Sequence, residues 1–493
     1  MQRAVVIGAG FGGLAAAVRL CARGYGVTLL EANEQPGGRA AVFRRDGFTF
    51  DAGPTVITAP YLLDELFALV GRDARDYFTL VPVDPFYRVR FDDGTTFDYV
   101  GDEDRLLANI AAISPRDVAG YRRFAAHARR IFDVGYTQLA DAPFSRLRDM
   151  LRAVPQMRRL GNWQTVWQMV ARYIKDDRLR QVFTFEPLLV GGNPFRCSSI
   201  YALIHWVERE WGVHYAMGGT GSIIAALWKL LGELGADLHL DAPVERIAVG
   251  DDGRVRSVHT ADGREFAADV VVCNADPSVV YSTMIAGARR RTWTDRRVRW
   301  VKPSPGLFVA YFGTRRQYPQ LAHHTIVLGP RYRGLLDDIY RRRVLADDCS
   351  LYLHAPTRTD ATMAPRGHEC FYVLSPVPDQ RSGIDWEQMQ QPYLDRVLAR
   401  LEATVLPGLR ENLVTSFAVD PRYFAGKLRS AHGAAFGPEP TLTQSAWFRY
   451  HNVSEDVRGL FFVGAGTHPG AGVPGVLNSA RLLERVLPAT IET

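Results

Sequence analysis

The fold of this chain is indicated by the stretch Ala4-Val5-Val6-Ile7-Gly8-Ala9-Gly10-Phe11-Gly12-Gly13 near its N-terminus. The apolar start predicts a short buried strand, and Gly8, Gly10 and Gly13 keep the Gly-x-Gly-x-x-Gly spacing, with Gly12 as an extra glycine. The largely apolar residues 14–20 predict a helix directly after this turn. A strand, a glycine turn and a helix in this order are typical of a unit that holds a dinucleotide pyrophosphate at the helix N-terminus.

An acidic residue and a second pair of glycines follow this unit. The apolar run Val27-Thr28-Leu29-Leu30 predicts a second strand, and Glu31 at its end is placed to accept hydrogen bonds from ribose hydroxyls. Gly37-Gly38-Arg39 comes next, where many two-domain flavoproteins have a Gly-Gly-Arg with its arginine near the adenosine end of FAD. These features favour FAD over NAD as the cofactor.

The same N-terminal residues could be mistaken for a secretory signal peptide, because Arg3 precedes an apolar stretch that reaches Val18. The glycines within that stretch would make a poor signal helix. They occupy the positions that a phosphate-binding turn requires, and the nucleotide interpretation is therefore preferred.

The composition limits the class of protein. At 493 residues the chain is too long for a single core, which predicts two to three domains. A hydrophobic fraction of 47% and a charged fraction of 23% are typical of a soluble protein, and no apolar run is long enough to predict a membrane-spanning helix. The net charge of +6 is compatible with an anionic membrane surface. Nucleic acid is not expected as a partner, since no recognition motif accompanies the basic residues.

A second glycine-rich turn lies near the C-terminus. The apolar run Leu460-Phe461-Phe462-Val463 predicts a buried strand, the stretch from Gly464 to Gly475 a turn, and residues 476–486 a helix. The positive end of that helix would stabilise negative charge on the pyrimidine ring of a reduced flavin. Two such turns at opposite ends of the chain fit an elongated cofactor that is held at both ends.

Residues 102–180 combine a helical pattern with many arginines. Apolar faces flanked by arginine and aromatic side chains, as in residues 163–173, suit a lipid interface, but they also suit a buried helix face with solvated arginines. The same two interpretations apply to the basic, tryptophan-containing stretch 289–300. The sequence leaves both interpretations open.

Three charged residues lie between apolar neighbours in the segment Ser145–Arg152. If this segment faces an apolar substrate channel, the carboxylate of Asp149, steered by Arg148 and Arg152, can assist the removal of a proton. The alternative is an ion pair on the solvent side, which is the commoner arrangement.

The histidines give no strong signal of chemistry. His205 lies in a predicted helix over residues 198–211, where a structural role is commoner than a catalytic one. His323 and His324 are adjacent on a predicted strand, so their side chains are expected to point to opposite faces. No metal site is predicted.

The remaining pattern predicts a second sheet. Residues 87–91 and 96–99 flank Asp93-Gly94 as a hairpin, and the alternating strands of residues 306–375 are expected to continue its sheet. We therefore predict an α/β fold with three parts: a discontinuous Rossmann-like FAD-binding domain (1–85, 213–288 and 440–493), a β-sheet substrate domain (86–101 and 289–439) and a helical membrane-facing subdomain (102–212).

Several stretches together resemble the bacterial-type phytoene desaturases. The resemblance covers the whole chain and is most specific in residues 188–212 and in the C-terminal turn. It rests on Val6-Ile7-Gly8-Ala9-Gly10-Phe11-Gly12-Gly13-Leu14, Glu31, Gly37-Gly38-Arg39-Ala40, Phe48-Thr49-Phe50-Asp51-Ala52-Gly53-Pro54-Thr55-Val56-Ile57-Thr58, residues 188–195 and 205–212, Leu442-Thr443-Gln444-Ser445-Ala446-Trp447-Phe448-Arg449 and residues 464–475.

The resemblance and the motifs together imply a set of FAD-binding residues. These are Gly8, Gly10, Gly12, Gly13, Glu31, Gly38, Arg39, Gly53, Pro54, Gly464, Gly466, Gly472, Val473 and Pro474. The resemblance further implies a C40 polyene substrate, most simply phytoene, that is converted to lycopene by successive desaturations. A hydride would pass from an allylic carbon to the flavin, a proton would leave the adjacent carbon, and a dry tunnel would supply much of the catalysis by positioning.

The resemblance also implies where the protein acts. A peripheral location on the cytoplasmic face of the membrane is expected, with oxygen or a quinone as the final electron acceptor. Three alternatives remain: another carotenoid desaturase or ketolase, such as a neurosporene-forming or diapophytoene-specific one; a flavin amine or porphyrinogen oxidase; and a flavin-free prenyl-lipid-binding protein. The complete second glycine turn argues against the last of these.

Overall fold

The computed structural model describes residues 1–138, 142–285 and 287–487. Its mixed arrangement of sheets and helices confirms the predicted α/β class. The strands are β1 (Arg3–Ile7), β2 (Gly26–Leu30), β3 (Val42–Arg45), β4 (Phe48–Asp51), β5 (Leu80–Pro82), β6 (Tyr87–Arg90), β7 (Thr96–Tyr99), β8 (His214–Ala216), β9 (Asp237–His239), β10 (Val244–Val249), β11 (Val255–Thr260), β12 (Glu265–Ala267), β13 (Val270–Cys273), β14 (Gly306–Thr314), β15 (His324–Val327), β16 (Leu351–His354), β17 (Glu369–Val377), β18 (Leu413–Val419) and β19 (Leu460–Phe462).

The α-helices alternate with these strands and concentrate between β7 and β8. They are α1 (Phe11–Ala22), α2 (Tyr61–Ala68), α3 (Glu103–Ile113), α4 (Val118–Phe132), α5 (Leu147–Arg159), α6 (Val166–Tyr173), α7 (Asp177–Val182), α8 (Leu203–Trp211), α9 (Thr220–Glu233), α10 (Pro277–Val279), α11 (Asp295–Trp300), α12 (Tyr332–Asp337), α13 (Trp386–Thr404), α14 (Pro421–Gly426), α15 (Val473–Arg481) and α16 (Leu483–Val486). Among the described residues, no helix is both long and apolar enough to cross a bilayer.

A five-stranded parallel sheet forms the first layer. Its order is β19-β13-β1-β2-β9, so β1 lies in the centre and strands from both ends of the chain meet in one sheet. Residues 4–7 of β1 are buried, as expected for a parallel strand that is covered on both faces. Helices α1, α9 and α15 pack on this sheet through one hydrophobic core.

A seven-stranded sheet forms the second layer, in the order β18-β14-β17-β16-β15-β6-β7. The predicted hairpin is confirmed, because β6 and β7 pair in register through Tyr87 and Tyr99, with Asp93 accepting a hydrogen bond from the amide of Thr95 at 2.9 Å in the turn. Strand β6 pairs with β15, so the hairpin and the strands of residues 306–377 belong to one sheet, as predicted.

The helices of residues 103–211 pack against the seven-stranded sheet. Apolar side chains of α3, α4, α6 and α7 share one continuous core with those of β6, β7, β14 and β16. Helix α5 differs from these, since Ala153 is its only buried residue. The two sheets and these helices enclose the space in which the candidate site lies.

Candidate active site

One continuous cavity of about 580 Å³ runs between the two sheets. At one end it is lined by the glycine turns that precede α1 and α15, and at the other by apolar residues of the seven-stranded sheet and of α5 and α8. Leu188, Leu189, Ile326, Leu328 and Leu351 are examples of this apolar lining. The cavity therefore has a polar, glycine-rich end and an apolar end.

Helix α1 presents its N-terminus to the glycine-rich end. Gly10 is the N-cap, no side chain caps the helix, and no acidic residue lies in its first turn, so its first N–H groups are available to an anion. A Cβ on Gly13 would overlap the carbonyl oxygen of Gly8, so only glycine lets α1 pack this closely against the turn.

Glu31 lies at the end of β2, buried beside this turn. Its Oε2 accepts a hydrogen bond from the amide of Ala9 at 2.7 Å, and its Oε1 accepts from the amide of Asn33 at 3.0 Å. Nδ2 of Asn33 also donates to Oε1 at 2.7 Å, so these contacts fix the carboxylate in the cavity wall and leave Oε2 able to accept a further hydrogen bond from a ribose hydroxyl.

Arg39 connects the N-terminal motif to a distant loop. Its Nε donates to the carbonyl oxygen of Ala435 at 2.6 Å, and its Nη2 donates to Oγ of Ser430 at 2.8 Å. Burial lowers the pKa of this guanidinium, while the nearby carboxylate of Asp276 opposes that shift. Arg39 thus lines the cavity and holds the wall in place.

Helix α15 offers a second N-terminus to the same cavity. Its N-cap, Gly472, has φ of +93°, a conformation that favours glycine, and no side chain caps this helix. Val473 and Pro474 begin the helix and line the cavity with Gly466.

Asn274 joins the two glycine turns, although it was not predicted from the sequence. It follows β13, and its side-chain amide occupies the space where a Cβ on Gly10, Gly12 or Gly464 would lie. A polar residue directly after a buried parallel strand was the available signal, because ligands bind at the carboxyl ends of such strands.

Most of the predicted cofactor residues line this cavity. The lining residues are Gly8, Gly10, Gly12, Glu31, Gly38, Arg39, Gly53, Pro54, Gly466, Gly472, Val473 and Pro474. In the described part of the chain, Gly13 and Gly464 do not line the cavity. Gly13 instead packs against Gly8, and Gly464 packs against Asn274. Two uncapped helix N-termini, a fixed carboxylate and glycine walls fit a dinucleotide such as FAD.

Two tyrosines of the seven-stranded sheet form hydrogen bonds with Thr55, the residue after Pro54. Oγ1 of Thr55 is hydrogen bonded to the hydroxyls of Tyr352 and Tyr372, each at 2.9 Å, and Tyr372 also donates to the carbonyl oxygen of Gly53 at 3.1 Å. These contacts tie the predicted cofactor turn to the substrate side of the cavity.

A buried polar cluster lies on the apolar side of the cavity, at helix α8. Oε1 of Glu208 accepts a hydrogen bond from the hydroxyl of Tyr87 at 2.6 Å, and Glu208 lines the cavity. Among the described residues its Oε2 has no hydrogen-bond partner. Nδ1 of His205 lies 3.1 Å from Oε1 of Glu186 and 2.9 Å from the hydroxyl of Tyr99.

The charges of this cluster are set by its burial. Burial raises the pKa of both Glu186 and Glu208, and the proximity of Glu186 adds to the shift of Glu208. Burial lowers the pKa of His205 to about 3, with a contribution from the positive charge of Arg209, so its imidazole is neutral. Other groups that face the cluster are Tyr87, Tyr99, Tyr121 and Tyr352.

The three predicted catalytic residues lie elsewhere. On α5, Nε of Arg148 is 3.8 Å from Oδ1 of Asp149, whose side chain is 25% exposed, and Arg152 is exposed. In the described part of the chain, the cavity wall includes Met150 and Met157 of this helix but none of the three charged residues. The structure therefore brings Met150 and Met157 of α5 to the cavity in place of its charged residues.

The expectation that His323 and His324 point to opposite faces is wrong. The centres of their rings are 4.5 Å apart, because β15 begins at His324 and the alternation of a strand does not extend to His323. His354, the last residue of β16, joins them in a buried group.

Comparison with known proteins gives relatives along the whole chain. Residues 11–482 match the family of flavin containing amine oxidoreductases. The chain is 50% identical to a lycopene-forming phytoene desaturase of Pseudescherichia vulneris and 48% identical to one of Pantoea ananas, with 98% of each chain covered in both cases. It is 43% identical to a neurosporene-forming phytoene desaturase of Rhodobacter capsulatus, over 99% of this chain and 94% of the relative.

Solved structures share the fold at low sequence identity. An oxidoreductase of Methanosarcina mazei has a TM-score of 0.65 at 17% identity, covering 98% of this chain and 100% of that one. A variant of putrescine oxidase has a TM-score of 0.64 at 14% identity, covering 98% and 97%. These likenesses support the fold.

Proposed function

The chain belongs to the phytoene desaturases of the flavin containing amine oxidoreductase family, and we propose that it converts phytoene to lycopene by successive FAD-dependent desaturations. The observation that carries this proposal is the cavity, which joins a dinucleotide-binding end to an apolar end. A C40 hydrocarbon offers no polar group to recognise, so an apolar enclosure of this kind is what its binding requires.

FAD is the cofactor, and the residues that would hold it follow from the site. The N-terminus of α1 would face the pyrophosphate, Glu31 the ribose, and the N-terminus of α15 the far end of the cofactor. When bound, FAD supplies a two-electron acceptor for the hydride that leaves an allylic carbon of the substrate.

The residues of this chain provide enclosure and a proton acceptor. The apolar wall excludes water and aligns the polyene, which supplies much of the rate by positioning. The proton that leaves the adjacent carbon is taken up, in this proposal, by the carboxylate of Glu208. Glu186, which is hydrogen bonded to His205, is close enough to contribute to the raised pKa of Glu208. Because burial raises the pKa of Glu208, its ionised form is a stronger base than an exposed glutamate.

Helix α5 supports a location on a membrane surface. Leu147, Leu151 and Val154 are 51%, 61% and 42% exposed and lie on one outward stripe, while Met150 and Met157 line the cavity. Exposed arginines flank this stripe, an arrangement that suits a helix lying in the headgroup region of a bilayer. We propose peripheral binding at the cytoplasmic face, entry of the substrate beside α5, and oxygen or a quinone as the electron acceptor.

A purified-protein assay tests the activity. FAD-loaded protein is mixed anaerobically with phytoene in lipid vesicles, and both the flavin absorbance and the extracted carotenoids are followed. Bleaching of the flavin with formation of a more conjugated carotenoid is expected. A stable oxidised flavin with unchanged phytoene would contradict the proposal.

The number of desaturation steps is tested by the product. Lycopene is expected, since the two lycopene-forming relatives are more similar to this chain than the neurosporene-forming one. Neurosporene as the end product would leave the family assignment intact and overturn the lycopene-forming assignment.

A further inference from the structure

Three buried histidines meet at one end of the β15–β16 strand pair. His324 and His354 are partners across that pair, and His323 immediately precedes β15. One ring nitrogen of each histidine lies within 4.8 Å of those of the other two. The three side chains come from two segments of the seven-stranded sheet and are almost fully buried.

Hydrogen bonds orient two of the rings. Nδ1 of His323 is hydrogen bonded to Oγ1 of Thr359 at 2.6 Å, and Nδ1 of His324 to the hydroxyl of Tyr352 at 2.8 Å. The Nε2 atoms are therefore the ones that remain for another partner. Nε2 of His323 lies 3.0 Å from Nε2 of His354, whereas Nε2 of His324 has no hydrogen bond among the described residues.

His323 and His324 thus have the surroundings of a metal-binding histidine. A ligating imidazole characteristically uses its second ring nitrogen for an oxygen partner, which fixes the tautomer and aims the first nitrogen at the ion. A tetrahedral ion with metal–nitrogen distances of about 2.0–2.1 Å needs nitrogens roughly 3.3 Å apart. Since the ring nitrogens all lie within 4.8 Å of one another, no separation exceeds that spacing by more than about 1.5 Å.

Ring packing also holds these side chains in place. The ring of Tyr215 packs 4.7 Å from that of His323, and the rings of His324 and His354 stack with their centres 5.4 Å apart.

We propose that His323, His324 and His354 form a binding site for one first-row transition metal ion that prefers imidazole ligands, of which Zn²⁺ is the type. The ion would join β15 to β16 beneath the cavity. Since Tyr352 bonds both His324 and Thr55, the same ion would stiffen the support of the turn after Pro54. Its role is structural, and the ion takes no part in the chemical step.

Metal content provides the test. The FAD-loaded protein, prepared without a histidine tag, is incubated with Zn²⁺, dialysed, and analysed by inductively coupled plasma mass spectrometry together with a sample as purified. About one ion per chain is expected in the wild type, and His324→Gln and His354→Gln are each expected to lose it. His259→Gln, on β11 of another sheet, is the matched control and keeps the ion.

Two further readouts do not depend on activity. Co²⁺ bound in place of Zn²⁺ is expected to give the visible absorption of a tetrahedral site in the wild type and not in His324→Gln. Zn²⁺ is expected to raise the Tm of the wild type and of His259→Gln only. The proposal would be overturned by a wild-type protein that holds no metal either as purified or after incubation with Zn²⁺ and dialysis. A His324→Gln protein with the same metal content as the wild type would also overturn it.

Discussion

Among the residues of the cavity wall, Glu208 gives the most direct test of how the proton leaves the substrate. Replacing it by glutamine keeps the size of the side chain and removes the base. We expect Glu208→Gln to bind FAD normally and to slow anaerobic flavin reduction by phytoene about 100-fold, the lower end of general-base effects. Stopped-flow absorbance of the flavin measures this rate.

Glu210 provides the matched control on the same helix, because it is exposed and its carboxylate bonds only the indole of Trp206 in the described structure, at 3.2 Å. Glu210→Gln should react at the wild-type rate.

The wild-type rate should also rise with pH through a pKa above that of an ordinary glutamate, since only the ionised carboxylate of Glu208 accepts a proton. This rise should be absent in Glu208→Gln. Equal rates for Glu208→Gln and the wild type would remove Glu208 from the mechanism. Slow turnover of Asp149→Asn with normal FAD binding would assign the role to Asp149 instead.

Asp51 makes the stability of the protein depend on pH. Burial raises the pKa of this carboxyl to about 7, well above its value in an unfolded chain. An acid whose pKa is raised on folding stabilises the protein fully below its unfolded pKa, and this contribution is lost as the pH rises through the folded pKa. We expect the free energy of unfolding to lose roughly 2–3 kcal/mol from this group between pH 5 and 8.

Urea unfolding of the FAD-loaded protein at both pH values measures the effect. Asp51→Asn should remove this part of the pH dependence, whereas Asp347→Asn, a change at a fully exposed side chain, should leave it unchanged. The same loss of stability in wild type and Asp51→Asn would show that other groups cause it.

At the scale of elements, the glycine turn at the N-terminus of α1 does not tolerate a larger side chain at Gly13. A Cβ on Gly13 would overlap the carbonyl oxygen of Gly8 and push the helix away from the turn. Gly13→Ala is therefore expected to lose most of its FAD, which is measured as flavin absorbance per chain. Gly232, inside α9, has open space where a Cβ would lie, so Gly232→Ala should keep its FAD and gain about 0.5–1 kcal/mol of stability. A fully loaded Gly13→Ala protein would contradict the assigned role of this turn.

Helix α5 is the element that tests membrane binding. Leu147 and Leu151 are each more than half exposed, so the double change Leu147→Gln and Leu151→Gln removes exposed apolar area and leaves the core intact. We expect binding to anionic vesicles to weaken about 10-fold or more, measured by co-sedimentation. Val344→Gln, at another exposed apolar residue, should bind like the wild type. Unchanged sedimentation of the double variant would place the contact surface elsewhere.

The glycine turns could be predicted from the sequence because backbone geometry dictates their spacing. Gly8 and Gly13 must be glycine for steric reasons that act within a few residues, and such constraints are visible in a linear pattern. The same holds for the hairpin around Asp93-Gly94. The cluster at Glu208 could not be predicted, because Tyr87 and Glu186 come from other segments of the chain than helix α8, which carries Glu208 and His205. The histidine pair was misjudged because the pattern did not show where β15 begins.

At the scale of the whole molecule, both ends of the chain build the same sheet. Strand β19 lies beside β13, which lies beside β1, so the two glycine turns open onto one cavity although more than 400 residues separate them. The helices of residues 103–182 share their core with the seven-stranded sheet. The cofactor end and the apolar end are thus held by one connected scaffold.

The central claim is that this scaffold converts phytoene to lycopene, and the most direct measurement is the pigment made in a phytoene-accumulating bacterial host that expresses the chain. Extracts should turn red and show the absorption bands of lycopene, with phytoene consumed. Colourless extracts that still contain only phytoene, from cells in which the protein is folded and carries FAD, would contradict the claim.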